Sequence, residues 1–233
     1  MCTLISDRED AIEAAASSIK FHRGELEKFV QEHPLFLYSL QPIPVEAGPE
    51  VVRLMAGAAR RADVGPMAAV AGVLADLAVE AMVREGADVA VVEDGGEVSL
   101  VSDRPMDVAL SAGDSPLSKR VGFRLHQFPA GVATSSGLYS HALSFGEAEA
   151  VTIFAENAGL ADAAATAVGN LVKGDQRASI KLGVERGLSI EGVRGVFIVY
   201  RGLVGVGGEV PTIIGVDIDD SEGERRSAKR GGA

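Results

Sequence analysis

The sequence contains no tryptophan, a single cysteine and few aromatic residues of any kind. Aromatics make up 5% of the 233 residues, whereas hydrophobic residues make up 47%. A sizeable core is therefore available, but it must be built from small and aliphatic side chains. With one cysteine, Cys2, a disulfide within the chain is excluded, and no oxidising compartment is indicated. Because Cys2 follows the first Met, we expect it to be mobile and incidental, not a catalytic thiol.

Positive charge is also scarce, and this excludes two classes of partner. The chain has 22 Lys and Arg residues against 33 Asp and Glu, for a net charge of -11. Nucleic acids and anionic membrane surfaces both require basic patches, so we expect neither as a partner. The charged first residues, MCTLISDRED, are not typical of a signal peptide. We therefore expect a cytoplasmic protein.

Long apolar runs are limited to one segment, residues 66–82. Asp76 and Glu80 interrupt this segment, and most of its other residues are small. A membrane span needs about 20 predominantly apolar residues. The segment therefore predicts a buried helix and not a membrane span.

Helical periodicity and capping signals predict five helices. They cover about 8–31, a stretch that begins at Pro49, about 67–85, about 158–173 and 176–186. Pro49 occupies the first-turn position that proline prefers, and Gly86 is a typical C-terminal cap. The short apolar segment 35–40 predicts a strand or a loop.

The remaining pattern predicts hairpins and strands. Two β-rich runs flank Asp94-Gly95-Gly96, which is a hairpin signal. Further strands are predicted at 106–111, 120–126 and 149–155, a Gly/Ser/Thr-rich loop at 131–146, and a last hairpin at 195–218. Alternating helices and hairpins indicate an α+β fold, a largely antiparallel sheet with packed helices. One way to close the sheet is to pair the last hairpin with the first.

The domain organisation follows from the same pass along the chain. We find no internal linker and no fixed-period repeat, so a single domain over residues 1–218 is predicted. Residues 219–233 have no apolar pattern, which is typical of a disordered tail.

The segment ADAAATA places Asp162 and Thr166 four residues apart. This spacing puts both side chains on one face of a helix. A carboxylate and a hydroxyl are hard oxygen ligands that suit Mg²⁺. The alternative is structural, because Asp near a helix start is favoured by the dipole and Thr can bond back to the backbone. On these residues alone the structural interpretation is the more common one.

Two turns are candidates for contact with a ligand. In the first, DVGPM, Gly65 and Met67 open an Ala-rich helix that includes Gly72, and free N–H groups there can bind an anion. In the second, EDGGE, a ligand ring or ribose can lie against Asp94, Gly95 and Gly96. The acidic side chains of the second turn could also accept hydrogen bonds or bind a cation, although their spacing is not that of a known calcium loop. The common alternatives are helix capping with close packing for the first turn, and a plain turn for the second.

A Gly/Ser/Thr-rich stretch is the last candidate. Thr134, Ser135, Ser136 and Gly137 offer backbone and side-chain donors for phosphate. His141 can act as a general acid or base near neutral pH. The alternative is a flexible polar loop with a surface histidine. No G-x-S-x-G elbow is present, which argues against a hydrolase triad.

These four stretches, in this order, resemble the uncharacterised ApbE-like family, a branch of the FAD:protein FMN transferase (ApbE) superfamily. The segment HPLFLYSLQPIP resembles that family too, and the resemblance runs from roughly residue 20 to residue 215. It implies an ApbE-like, T-fold-related architecture. Asp162 and Thr166 fall on the superfamily's magnesium-binding positions, which a backbone carbonyl of the first motif completes. Tyr139-Ser140-His141 falls on its Y-S-H, and Gly95 and Gly96 on its paired glycines.

The resemblance implies Mg²⁺ and FAD or another nucleotide as cofactors, a small phosphorylated ligand, and a protein acceptor. It points to a flavin- or nucleotidyl-type transferase. Two superfamily elements are absent. ALSFG stands in place of D-P-x-T-G after Y-S-H, and the lysine of the first turn is replaced at Val70 or Ala71.

Two other functions remain open at this point. One is a non-catalytic accessory protein in sulfur assimilation (homocysteine or cysteine formation) or in cofactor assembly. The other is a stable fold whose Ala-rich faces form a homodimer.

Overall fold

The computed structural model describes residues 2–113, 115–137 and 145–216. These residues form six α-helices and ten β-strands. The helices are α1 (Glu9–Glu32), α2 (Pro34–Tyr38), α3 (Glu50–Ala62), α4 (Val70–Arg84), α5 (Ala158–Gly169) and α6 (Gln176–Leu188). The strands are β1 (Cys2–Ser6), β2 (Val89–Asp94), β3 (Glu97–Ser102), β4 (Met106–Ala109), β5 (Val121–Leu125), β6 (Ala130–Ser135), β7 (Ala150–Ala155), β8 (Val193–Tyr200), β9 (Leu203–Gly208) and β10 (Thr212–Gly215).

Two antiparallel sheets organise the strands. The large sheet has seven strands in the order β1-β2-β3-β6-β7-β8-β9, and the small sheet has three in the order β10-β5-β4. All strand pairs in both sheets are antiparallel. The predicted α+β class with a largely antiparallel sheet is therefore confirmed.

The prediction that the last hairpin pairs with the first is wrong. Both hairpins, β2-β3 and β8-β9, belong to the large sheet, but β6 and β7 lie between them. The sheet stays open, with β1 and β9 at its edges. The reason is that β6, which the sequence pattern leaves in a loop, supplies a central strand that β3 and β7 both pair with.

The two faces of the large sheet contact different layers. In β3, Val98 and Leu100 belong to a core cluster that includes Phe123 of the small sheet. The intervening Ser99 bonds instead to Asp76 of α4. Because side chains alternate along a strand, one face packs against the small sheet and the other against the helices.

Helices α4 and α5 lie in close backbone contact at the centre of the helical layer. A Cβ atom placed on Gly72 of α4 would lie 2.2 Å from the carbonyl oxygen of Ala158 of α5. Gly159 of α5 is equally close to α4, since its Cβ would lie 2.5 Å from Cγ2 of Val73. The small residues of the sequence therefore bring two helix starts together.

Pro66–Arg84 is a segment long and apolar enough to cross a membrane by length and composition alone. In the structure it forms a 3₁₀ turn, Pro66–Ala69, followed by α4. α4 packs against α1, α5 and strands β2 and β3, and most of its residues are buried. It is a core helix, as the interrupting charges predict.

Three local predictions are corrected. Residues 34–38 form the short helix α2, which Pro34 opens at its first position. Residues 131–135, predicted as loop, belong to strand β6, because pairing on both sides overrides their Gly/Ser/Thr composition. Cys2 is not in an irregular terminus, since it begins β1 and pairs with Asp94. The predicted tail, 219–233, lies outside the described residues.

Candidate functional site

Helix α5 is almost entirely buried, with two exceptions. It begins at Asn157, whose side-chain oxygen accepts the N–H of Leu160 at 2.8 Å, a typical N-cap. Ten of its 12 residues are buried. The two that keep contact with solvent are Asp162 and Thr166. The only side of α5 that reaches solvent therefore carries a carboxylate and a hydroxyl one turn apart.

The Asp162 carboxylate is held by the start of α4. Its Oδ2 accepts the N–H of Gly72 at 3.1 Å, and the N–H of Ala71 also bonds to it. These two residues lie in the first turn of α4, where N–H groups have no partner within the helix. The carboxylate is thus fixed in orientation, in a residue that is only partly buried as a whole.

Glu97 adds a second carboxylate to this site. It is the first residue of β3 and, by strand alternation from Ser99, lies on the helix-facing side of the sheet. Burial raises the pKa of Glu97 to about 7, and the negative charges of Asp94 and Glu93 add to this while its own backbone N–H opposes it. Glu97 therefore changes charge near neutral pH.

Asp162 is perturbed in the same direction. Burial raises the pKa of Asp162 well above its ordinary value, and the neighbouring charge of Glu97 raises it further. The hydrogen bonds from Gly72 and Ala71 partly offset this rise, and Asp76 contributes a smaller repulsion. Two partly buried acids thus repel each other here, and either a proton or a cation relieves the repulsion.

Asp76 mirrors Asp162 across the α4–α5 contact. Its Oδ1 accepts the N–H of Ala158 at 2.9 Å and the hydroxyl of Ser99 at 2.6 Å, and its Oδ2 accepts the N–H of Gly159 at 2.8 Å. Each helix therefore supplies a carboxylate to the N-terminal N–H groups of the other. Burial raises the pKa of Asp76, and these three hydrogen bonds oppose the rise.

Asp76 is a residue of this cluster that the sequence interpretation missed, because it treats Asp76 only as a charge that interrupts an apolar run. Glu97 was considered there as one of three acidic residues of a turn that could accept hydrogen bonds or bind a cation, but its place beside Asp162 was not predicted. One available signal was that a carboxylate within a buried helix requires hydrogen-bond partners. That signal predicts a partner for Asp76 but does not identify it.

The turn at 94–96 and the end of β6 meet beside this cluster. Gly95 has φ +73 and Gly96 has φ +113, backbone conformations that favour glycine. The N–H of Thr134 donates to the carbonyl of Gly96 at 3.3 Å. The Ser135 hydroxyl lies 3.6 Å from where a Cβ on Gly169, at the end of α5, would be. The structure thus brings the predicted turn, Ser135 and α5 together.

Thr134 does not share the surface of Asp162. Its hydroxyl lies 2.9 Å from the hydroxyl of Thr152, on the sheet face opposite the helices. There it lines a cavity of about 330 Å³, together with Glu93 and Gly96. The hydroxyl-rich stretch is therefore divided between the two faces of the large sheet.

The other predicted ligand contacts have packing roles in the structure. A Cβ on Gly65 would lie 1.9 Å from the carbonyl oxygen of Ser39, and one on Gly137 would lie 2.2 Å from that of Gly146. Ser136 is buried, and Met67 packs against the helix-side core.

The first turn is also less open to an anion than the sequence pattern suggests. The N–H of Ala68 already donates to the carbonyl of Gly65, closing the 3₁₀ turn. The predicted general acid or base, His141, and the neighbouring Tyr139 and Ser140 lie outside the described residues.

The donor set at α5 fits a hard cation. Within residues 2–113, 115–137 and 145–216, no group of three His, Cys, Asp or Glu side chains is arranged to hold a metal ion. Mg²⁺ does not need such a group, because it is commonly held by one or two carboxylates plus water and phosphate oxygens. Asp162 and Thr166, with Glu97 nearby, supply oxygen donors and the negative charge that a cation compensates.

Comparisons with known protein families and sequences agree on one grouping. Residues 3–186 match the model of a family described as AbpE bacteria. A UPF0280 protein of Methanococcus vannielii is 37% identical over 213 residues, covering 89% of this chain and 86% of the relative. A UPF0280 protein of Methanosarcina acetivorans is 39% identical over 219 residues, covering 93% and 86%.

Two solved structures are also similar to this chain. The flavinyl transferase ApbE of Pseudomonas stutzeri, in its apo form, is 17% identical with a TM-score of 0.43, and the match covers 91% of this chain and 74% of that one. The ApbE protein of Thermotoga maritima is 18% identical with a TM-score of 0.46, and the match covers 89% and 78%.

Proposed function

Because the chain belongs to the family described as AbpE bacteria, we propose that it binds a phosphorylated nucleotide, in the first instance FAD, together with Mg²⁺. We further propose a flavin- or nucleotidyl-type transfer to a hydroxyl of a protein acceptor. The hydroxyl oxygen would bond to one phosphorus of the pyrophosphate and lose its proton to a base, while the pyrophosphate bond breaks and the other half of the nucleotide leaves as a monophosphate. Membership confirms the resemblance drawn from the sequence motifs. The reaction, the ligand and the metal are the proposal.

One observation carries this proposal. Asp162 and Thr166 are the two residues of helix α5 that are not buried. A carboxylate and a hydroxyl one turn apart lie on the same side of a helix and offer two hard oxygen donors to one cation. The second carboxylate, Glu97, increases the negative charge that a cation offsets.

Asp162 and Thr166 would hold the metal. Mg²⁺, when bound, neutralises charge on phosphate oxygens and on a leaving phosphate. The chain's own contribution is orientation, since the N–H groups of Gly72 and Ala71 fix the Asp162 carboxylate before any ligand arrives. Such preorganisation lowers the cost of binding.

The turn at Gly95 and Gly96 is the proposed neighbour of the nucleotide. Both residues have positive φ, and neither presents a side chain, so a ring or ribose can approach the backbone closely. Ser135, which lies beside the end of α5, supplies a hydroxyl on the same side. His141 remains the proposed proton acceptor for an acceptor hydroxyl.

Calorimetric titration of the full chain with FAD, with and without Mg²⁺, tests the proposal. We expect Mg²⁺ to tighten FAD binding about tenfold or more, the size of a typical coupling between two ligands. Thr166→Val keeps the side-chain shape but removes the hydroxyl, and it should abolish this coupling. Thr166→Ser keeps the hydroxyl and should retain most of it.

Asp162→Asn and a surface control complete the test. Asp162→Asn keeps an acceptor for the Gly72 N–H but removes the charge, so the Mg²⁺ effect should be lost. Asp88→Asn removes the same charge from an exposed position and should change nothing. The proposal is wrong if neither FAD nor ATP binds in the presence of Mg²⁺, or if Asp162→Asn binds them as the wild type does.

A further inference from the structure

We propose a second ligand site between the two sheets, for a small organic carboxylate with a compact apolar body. Its cavity is lined by Leu125 and Phe154, which belong to the core cluster between the sheets. Helix α5, which carries Asp162, packs in the separate core cluster on the other face of the large sheet. The cavity therefore lies on a different face from the α5 site, and the proposal does not depend on Mg²⁺ or a nucleotide.

The cavity lies between the two sheets and has a volume of about 230 Å³. Leu125, Phe154, Val210 and Pro211 form an apolar part of its lining, and polar and charged residues form the rest. Pockets for drug-sized ligands are typically about 300–1,000 Å³. The volume therefore suits a small molecule and is too small for a dinucleotide.

The charged residues of the lining are two arginines, His126 and Glu209. Arg124 is neutralised, because its Nε and Nη2 donate to the two carboxylate oxygens of Asp107 at 2.8 and 2.7 Å. Arg194 is different. Among residues 2–113, 115–137 and 145–216 it forms no ion pair, and its one side-chain hydrogen bond goes from Nη1 to the carbonyl of Pro129 at 3.3 Å.

Arg194 is also partly buried, which makes its lack of a partner informative. Taking a guanidinium out of water without a compensating anion is costly. Nearby Glu209 does not compensate it, since its side chain is exposed and its contact with Arg194 is a backbone hydrogen bond of 2.7 Å. In a chain with a net charge of -11, anionic partners are abundant, yet this arginine is left without one.

The chemistry of the ligand follows from these features. Guanidinium groups bind carboxylates through two parallel hydrogen bonds, which makes arginine the preferred residue for that recognition. An apolar cavity behind the arginine then accommodates a short branched hydrocarbon. A compact carboxylate of about this size satisfies both the charge and the walls.

Isovalerate and isovaleramide are the probes, because they share a shape and differ in charge. Saturation-transfer NMR with the full chain should show binding of isovalerate and at least about tenfold weaker binding of the amide, the loss of a charge-assisted hydrogen bond. Equal binding of both compounds, or a Kd weaker than about 1 mM for both, overturns the proposal. This comparison needs no variant.

Two variants locate the site. Arg194→Gln should weaken isovalerate binding about tenfold or more, while Arg177→Gln, which removes an exposed arginine on α6, should leave it unchanged. Arg194→Lys keeps the charge but not the paired donors and should be intermediate. Unchanged binding in Arg194→Gln, or equal weakening by both Gln variants, contradicts the assignment. Neither result bears on FAD and Mg²⁺ binding at α5.

Discussion

The start of α4 and the start of α5 are built alike, but they differ in how fully their carboxylates are used. Asp76 of α4 accepts three hydrogen bonds, two from the first turn of α5 and one from Ser99. Asp162 of α5 accepts N–H groups from the first turn of α4, keeps contact with solvent and faces the charge of Glu97.

The difference separates a structural acid from a candidate ligand. When a carboxylate accepts several good hydrogen bonds, those bonds stabilise its charged form and offset the cost of burying it. A carboxylate that belongs to a partly buried residue and lies beside a like charge is the candidate for binding a cation. Reciprocal capping thus gives the fold a rigid frame, and one of its two carboxylates remains available.

The largest expected effect on stability comes from removing Asp76, the carboxylate that accepts three hydrogen bonds. Asp76→Ala removes three hydrogen bonds to a charged group, and each such bond contributes about 1.5–3 kcal/mol, not additively. We expect the free energy of unfolding in urea to fall by about 3 kcal/mol. A loss below about 0.5 kcal/mol, the size of an ordinary surface substitution, would show that Asp76 does not hold α5.

Gly72→Ala tests the close contact between α4 and α5, which lets the carboxylate of each helix reach the first-turn N–H groups of the other. The new Cβ would lie 2.2 Å from the Ala158 carbonyl oxygen, so the two helices must separate, at a cost of about 2 kcal/mol. Gly57→Ala in α3 is the matched control, because nothing lies within 4 Å of its Cβ position. That change should stabilise by up to about 1 kcal/mol through helix propensity. Relative to the wild type, we expect the urea midpoint to fall in Gly72→Ala and to rise in Gly57→Ala. Equal shifts in the two variants would contradict this prediction.

The pH dependence of the free energy of unfolding tests the environment of Asp162 and Glu97. The pKa of Glu97 is raised from 4.5 to about 7 in the folded protein, so the folded state binds its proton more tightly than the unfolded state. Without Mg²⁺, the free energy of unfolding should therefore fall by about 1–2 kcal/mol as pH rises through this window. The raised pKa of Asp162 acts in the same direction.

Glu97→Gln should flatten the profile, and Mg²⁺ should do so in the wild type. Asp88→Asn, at an exposed site, should leave the profile unchanged. A wild-type stability that rises with pH between about 4.5 and 7 would mean that Glu97 is not buried beside Asp162.

Local sequence signals predicted much of the fold. Pro49 precedes α3, Gly86 follows α4 with φ +84, and Gly95 and Gly96 turn the β2-β3 hairpin. Each of these residues acts through its own backbone, so its effect can be predicted without knowing the rest of the chain. The motifs also identified the family correctly, because their order along the chain is specific even where each is weak.

Strand β6 could not be predicted in the same way. Its glycine, Gly131, is required because a Cβ would lie 2.0 Å from the carbonyl carbon of Asn157. In the sequence, a glycine among Ser and Thr residues predicts a loop. The strand exists because β3 and β7 lie on either side of it, and neither contact is local.

The candidate site divides along the same line. Asp162 and Thr166 are related by helical spacing, which is local, so the sequence was enough to predict that they share one side of α5. The bonds from Gly72 to Asp162 and from Gly159 to Asp76 join residues 90 and 83 positions apart. Spacing carries no information on such contacts, so neither the role of Asp76 nor the place of Glu97 beside Asp162 could be predicted.

Ser99→Ala is the smallest test and the most specific to Asp76. It removes one hydroxyl bonded to Asp76 at 2.6 Å and leaves both backbone donors in place. We expect a loss of about 1 kcal/mol, with Mg²⁺ and FAD binding unchanged, because Asp162 keeps its own partners. Ser17→Ala, exposed on α1, should cost nothing. If Ser99→Ala weakened Mg²⁺ binding without loss of stability, Asp76 would not have the purely structural role, distinct from that of Asp162, that the geometry indicates.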